Sequence, residues 1–209
     1  KQIIFALFFF ISLLNPISIR VINAESFESY LNNGREKLSD NDFQGALKEF
    51  NKVIEIDPQN WRAYHNRGLS KLELGKIEGA LEDFTQAIEL NQNPWAQSFF
   101  ERGNIYQIQK KHKKAIADFT KSLELELIGS WAAFHNRGLS KLILRDTQGA
   151  LEDFTQAIEL NQNPWSQSYF ERGIIYQKQK KHKEAIADFS KSLELELIDE
   201  WTAFHNRGL

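Results

Sequence analysis

The sequence has no cysteine and no methionine among its 209 residues. Without cysteine the chain can form no disulfide, no thiolate metal site and no cysteine nucleophile. That absence is compatible with any redox compartment. Without methionine, even at position 1, Lys1 is not expected to be a natural translation start. Leu209 falls inside an expected helix whose partner is missing, so the chain reads as a fragment cut at both ends. Neither sign of charge dominates: 26 Lys and Arg stand against 28 Asp and Glu. A nucleic-acid binder would show a dominant basic stripe, so no nucleic-acid partner is expected. There is no alternating apolar run long enough for a strand. The phosphate-loop, dinucleotide, zinc-protease and nucleophile-elbow patterns are all missing. No catalytic residue and no cofactor are therefore assigned.

What the chain does have is a period. Gly68, Gly103, Gly138, Gly173 and Gly208 recur every 35 residues, and Gly34 lies 34 residues before the first. An aromatic stands four places before each: Tyr30, Tyr64, Phe99, Phe134, Tyr169 and Phe204. Ala46, Ala80, Ala115, Ala150 and Ala185 follow in register, then Phe50, Phe84, Phe119, Phe154 and Phe189. A fixed period in this range marks a repeat architecture. Above it sits a double period, because residues 61–130 and 131–200 align without a gap and differ at 15 of 70 positions. Recent duplication explains such identity at solvent-facing positions more simply than packing does.

The first 24 residues differ in kind. Lys1 precedes the apolar run Ile3–Leu14, the break Asn15-Pro16 follows, and Ala24 closes the segment. A positive start, a short apolar stretch and a small residue at the cut describe a secretory signal peptide. This run of 12 residues is too short to span a bilayer, which needs about 20. An uncleaved amino-terminal anchor is the alternative, with Ile22 and Arg20 unusual for a cleavage site. Residues 25–209 then hold five full units, about 27–60, 61–95, 96–130, 131–165 and 166–200, and a truncated sixth from 201.

Each unit contains two amphipathic stretches joined by a polar turn. In the second unit Ala63–Leu74 carries one and Glu78–Leu90 the other, with Leu81, Phe84, Ala87 and Ile88 on one helical face. A glycine inside the first helix costs about 1 kcal/mol against alanine, which suggests close approach by another backbone. The recurring alanine of the second helix is the expected neighbour. The frame aromatic–x3–Gly–x11–Ala–x3–Phe resembles the tetratricopeptide repeat family over residues 27–209, and Pro58 matches that family's closing proline. The resemblance implies an all-α solenoid of antiparallel helix pairs, wound as a right-handed superhelix with a concave groove.

The same resemblance implies which residues line the groove: chiefly His65, Asn66, Phe100, Asn104, His135, Asn136 and Phe170 on the first helices. Unperturbed histidine titrates near pH 6.5, so charge in the groove is expected to change between about pH 5 and 8. Family members that clamp acidic chaperone tails use groove lysines and asparagines. Here the matching fifth places hold histidine or phenylalanine, so that clamp is not expected. The family also places an apolar residue where Arg67, Arg102, Arg137 and Arg172 stand. Those arginines are expected to be partly buried and to pair with Asp83, Asp118, Asp153 and Asp188, within the unit or across to a neighbour.

The five histidines sit one in each unit from the second to the truncated sixth, too far apart for shared metal ligation, so no metal site is expected. Trp61, Trp95, Trp131, Trp165 and Trp201 are expected to wedge successive units together. The lysine-rich turns 110–114 and 178–183 read as solvated edges. The functional expectation is an exported, non-enzymatic scaffold that binds a protein or peptide segment in its groove. A membrane would be met only through residues 1–24 if they stay uncleaved. A self-assembling repeat spacer, with association through the repeat ends, and the repeat arm of a larger enzyme are the alternatives.

Overall fold

The computed structural model describes residues 16–93, 95–125, 130–160 and 165–207. The apolar run Ile3–Leu14, Pro94, residues 126–129 and 161–164, and Gly208-Leu209 lie outside the described residues. Ten helices and no strand occur among those described: α1 (Pro16–Ser39), α2 (Phe43–Ile56), α3 (Trp61–Glu73), α4 (Ile77–Leu90), α5 (Ala96–Ile108), α6 (His112–Glu124), α7 (Trp131–Ile143), α8 (Thr147–Leu160), α9 (Ser166–Lys178) and α10 (His182–Arg207). They divide between residues 94 and 95 into two compact units. In the first, α1 packs on α2, α2 on α3 and α3 on α4. In the second, the same succession runs from α5 to α10.

Each hairpin turn ends its first helix in the same way. Asn41, Gly75, Lys110, Arg145 and Lys180 have left-handed backbones, with φ of 61°, 70°, 57°, 67° and 60°. The next N–H then reaches back five residues, as from Lys76 to the Lys71 carbonyl at 2.8 Å and from Asp146 to the Lys141 carbonyl at 3.0 Å. This closure satisfies carbonyls that the helix end would otherwise leave bare. Asp42 and Asn60 cap the helices that follow them, accepting from the N–H of Gly45 at 2.9 Å and of Ala63 at 3.1 Å.

The core is a repeated contact between the two helices of a hairpin. Phe50, Phe84, Phe119 and Phe154 are fully buried, as are Ala46, Ala80, Ala115 and Ala150. The phenylalanine, and not the alanine, faces the helical glycine. A methyl group on Gly103 would lie 2.8 Å from the Phe119 ring, and one on Gly138 would lie 2.9 Å from the Phe154 ring. The expectation of an alanine neighbour is thus corrected: an aromatic ring packed against the first helix leaves no room for a Cβ.

Beside this contact runs a polar staple. Arg67, Arg102, Arg137 and Arg172 each grip the aspartate 16 residues on through Nε and Nη2, at 2.6–2.9 Å. The pairing is within the hairpin. The third guanidinium nitrogen reaches the preceding second helix, from Arg67 to Asn51 at 2.8 Å, Arg137 to Thr120 at 3.1 Å and Arg172 to Thr155 at 3.2 Å. One side chain therefore ties three helices. The units alternate in how they finish the pair. Lys71 and Lys141 add a second cation to Asp83 and Asp153, at 2.8 and 2.9 Å. In the other type Arg102 lies between the rings of Phe99 and Tyr106, and Arg172 between those of Tyr169 and Tyr176.

Both ends of the described chain are helical beyond the repeat frame. Helix α1 begins at Pro16, so residues 16–24 continue into the first repeat helix. Helix α10 crosses the expected 200/201 boundary without a turn. Asp199-Glu200 stand there in place of Gly129-Ser130, which removes the glycine that disfavours helix. Among the described residues no helix is long and apolar enough to cross a membrane.

Candidate functional site

The first helices carry the polar and aromatic residues that packing does not consume, and the second unit shows how they meet. Helices α5 and α7 lie side by side through an amide ladder. Asn136 Nδ2 donates to Asn104 Oδ1 at 2.9 Å. Gln107 Nε2 donates to the Asn136 carbonyl at 3.0 Å and to Ser140 Oγ at 3.2 Å. Asn104 therefore accepts from Asn136 across the two helices, and this bond with those of Gln107 holds adjacent repeats in register. Phe100 is half-buried and leans on Phe119 at 5.9 Å between ring centroids.

The two histidines sit deeper than the sequence suggests. His65 is 1% exposed and His135 3% exposed. His65 packs edge-on against Phe84, and His135 lies tilted against Phe154. His135 Nδ1 also shares a hydrogen bond with Ser168 Oγ at 2.8 Å. Burial pushes the pKa of each down to about 4, because desolvation penalises the charged ring. The expected change of groove charge between pH 5 and 8 is accordingly corrected: these rings stay neutral through that range. In the first unit, His65 is thus part of the core, while Asn66 is half-buried beside it.

Between α7 and α9 the surface opens into a cleft of about 440 Å³, lined by His135, Leu139, Gln167, Phe170, Glu171 and Glu196. His135 forms part of its floor. Phe170, 47% exposed, presents an aromatic face at its side and leans on Phe189 behind, at 5.8 Å. Trp165 stands edge-on to Trp131 at 4.4 Å and close to His135 at 5.7 Å. It bridges successive first helices but stays 46% exposed, so it is a half-open wedge. Burial raises the pKa of Glu171, opposed by the positive charge of Lys178. Of the seven residues expected in the groove, the cleft unites His135 and Phe170. Sequence reasoning missed Glu196, because it belongs to a second helix and so to none of the places the family's groove uses. A smaller cleft of about 260 Å³ lies among Gln148, Leu151, Glu152, Thr155, Gln156 and Tyr176. Among the described residues no group of three or more His, Asp or Glu side chains could hold a metal ion.

A family model described as Tetratricopeptide repeat matches residues 61–94, 96–126 and 166–196, and one described as TPR repeat matches 34–75. Together they cover more than half of the chain. The chain belongs to the tetratricopeptide repeat family. Solved TPR structures share its fold. MamA from Desulfovibrio magneticus RS-1, residues 41 to the end, is 18% identical with a TM-score of 0.71, covering 82% of this chain and 95% of its own. YrrB, described as a TPR protein with an unusual peptide-binding site, is 19% identical with a TM-score of 0.70, covering 86% and 91%. PilF of Pseudomonas aeruginosa is 21% identical with a TM-score of 0.70, covering 89% and 87%. At these identities the likeness is one of fold. No curated protein matches the sequence.

Proposed function

We propose that this TPR chain is a non-catalytic scaffold that binds an extended or helical segment of a partner protein on its first-helix face. The observation that carries this reading is the cleft between α7 and α9. It is built from residues of two first helices and Glu196 of a second helix, is walled by an exposed phenylalanine, and carries Gln167, Glu171 and Glu196 as polar groups outside the buried core. Concave sites with an apolar wall and a few convergent polar groups are the usual seats of ligands, and aromatic side chains are frequent anchors in interfaces. YrrB, of the same fold, is described as peptide-binding. Residues 1–24 direct the chain to export in this reading, as a signal peptide or as an anchor.

The experiment is selection of short random peptides on the full chain, repeated with Phe170→Ala. Peptides recovered on the wild type and lost on the variant, with unchanged helicity by circular dichroism, support the reading. Equal recovery on both would contradict it.

A further inference from the structure

The near-identity of the two double units makes each of their few differences informative. In the third repeat, Glu101 is satisfied from its own helix. Gln97 Nε2 donates to its Oε1 at 2.6 Å, and Asn104 Nδ2 to its Oε2 at 3.4 Å. The equivalent residue in the fifth repeat is Glu171. There Ile174 replaces Asn104, and that donor is gone. Gln167 stands where Gln97 does, yet no hydrogen bond from a described residue reaches Glu171. The carboxylate is half-buried, and loss of water without replacement donors disfavours its charged form.

That carboxylate lines the cleft, with Glu196 on α10 and the exposed ring of Phe170. Among the described residues Gln167 is the one other polar side chain at the surface of the cleft and is neutral, the floor histidine is neutral as well, and no cation is among the described residues that line it. Lys178 acts on Glu171 only through its field, from two turns further along α9. An acidic guest would meet two like charges. An aliphatic guest would bury Glu171 further and leave it without a donor, which is costly. A guanidinium or ammonium would supply N–H donors and positive charge, and could lie on the face of Phe170 as cations do on aromatic rings.

We propose that the cleft between α7 and α9 seats a lysine or arginine side chain of the partner segment, held by Glu171 and Glu196 against Phe170. This rests on the peptide-binding reading above and adds a sequence requirement to the partner: a cationic residue at the position that meets the fifth repeat.

The test uses the full chain and pools of short random peptides that share one fixed central residue, arginine, lysine, norleucine or glutamate. Surface plasmon resonance reads their retention. The arginine and lysine pools should bind about tenfold or more tightly than the glutamate pool, the scale of one charge-assisted hydrogen bond, and more tightly than norleucine. Glu171→Gln should erase that preference. Ile174→Asn should weaken it, because it restores the donor that satisfies Glu101. If norleucine binds as well as arginine, or if the preference survives in Glu171→Gln, the cation seat is wrong while peptide binding stands. If no pool binds, both readings fall.

Discussion

Arg137 and Asp153 meet in a two-point fork, Nη2 to Oδ1 at 2.6 Å and Nε to Oδ2 at 2.9 Å, with Lys141 Nζ on the same carboxylate at 2.9 Å. The aspartate side chain is 3% exposed and the arginine 15%. Arginine suits this place because its planar fork matches a carboxylate and still leaves a third nitrogen for Thr120. Asp153→Ala strips the partner from two cations at once. Breaking a buried pair from one side costs roughly 3–5 kcal/mol. Chemical denaturation should show a loss of that order for Asp153→Ala and for Asp83→Ala. An unchanged midpoint would mean that water already satisfies these carboxylates.

The glycine–phenylalanine contact gives a prediction that runs against helix propensity. Alanine is the better helix former by about 1 kcal/mol, so Gly103→Ala would stabilise an open site. Here the new methyl would sit 2.8 Å from the ring of Phe119, which is fully buried. Overpacking of this kind costs typically about 1–3 kcal/mol. The variant should melt below the wild type by circular dichroism, and a rise would show that the ring has room to move.

The hairpin turns offer the opposite sign. Lys110, Arg145 and Lys180 hold left-handed backbones at turns where Gly75 holds one without strain. For a residue with a Cβ that conformation costs roughly 1–2 kcal/mol, partly offset by glycine's greater freedom when unfolded. Lys110→Gly, Arg145→Gly and Lys180→Gly should each stabilise the chain by up to about 1 kcal/mol. Thermal melts of the single and triple variants check this, with near-additive gains expected for such separated sites.

His65 and His135 impose a pH dependence whose sign follows from burial. Their folded pKa lies at about 4, below histidine's ordinary value of 6.5. Between those values the unfolded chain binds more protons than the folded one, so stability falls as pH drops from 6.5 towards 4. Each histidine steepens that fall by up to about 1.4 kcal/mol per pH unit. His135→Gln should flatten the stability profile in this window. An unaltered slope would mean that the ring titrates normally.

Much of the fold was legible because helix pairs, glycine spacing and the Arg–Asp register are sequence-local patterns. Arg67 and Asp83 stand 16 residues apart, as do their counterparts in the third, fourth and fifth repeats, and one charge of each sign entering an apolar face leaves little choice of partner. Depth was harder to read. The spacing places His65 and His135 on the groove face of their helices, but the width of that face does not reveal that an imidazole can slide onto a phenylalanine and leave the surface. The glycine's neighbour was missed for a similar reason: Ala80 and Phe84 are one turn apart, and side-chain reach decides which of them covers Gly68. Glu171 became visible only by comparison with Glu101, whose donors the structure shows.

In the proposed function a partner lies on the first-helix face at the cleft between α7 and α9. The most direct measurement is site-specific photo-crosslinking of a selected peptide, with a photoreactive phenylalanine analogue placed in turn at Phe170 and at Gln156. Phe170 walls the proposed cleft, and Gln156 lines the separate small cleft on α8. A covalent adduct is expected from position 170 and none from position 156. Crosslinking from position 156 alone, or from neither position while the peptide remains bound, would contradict that placement.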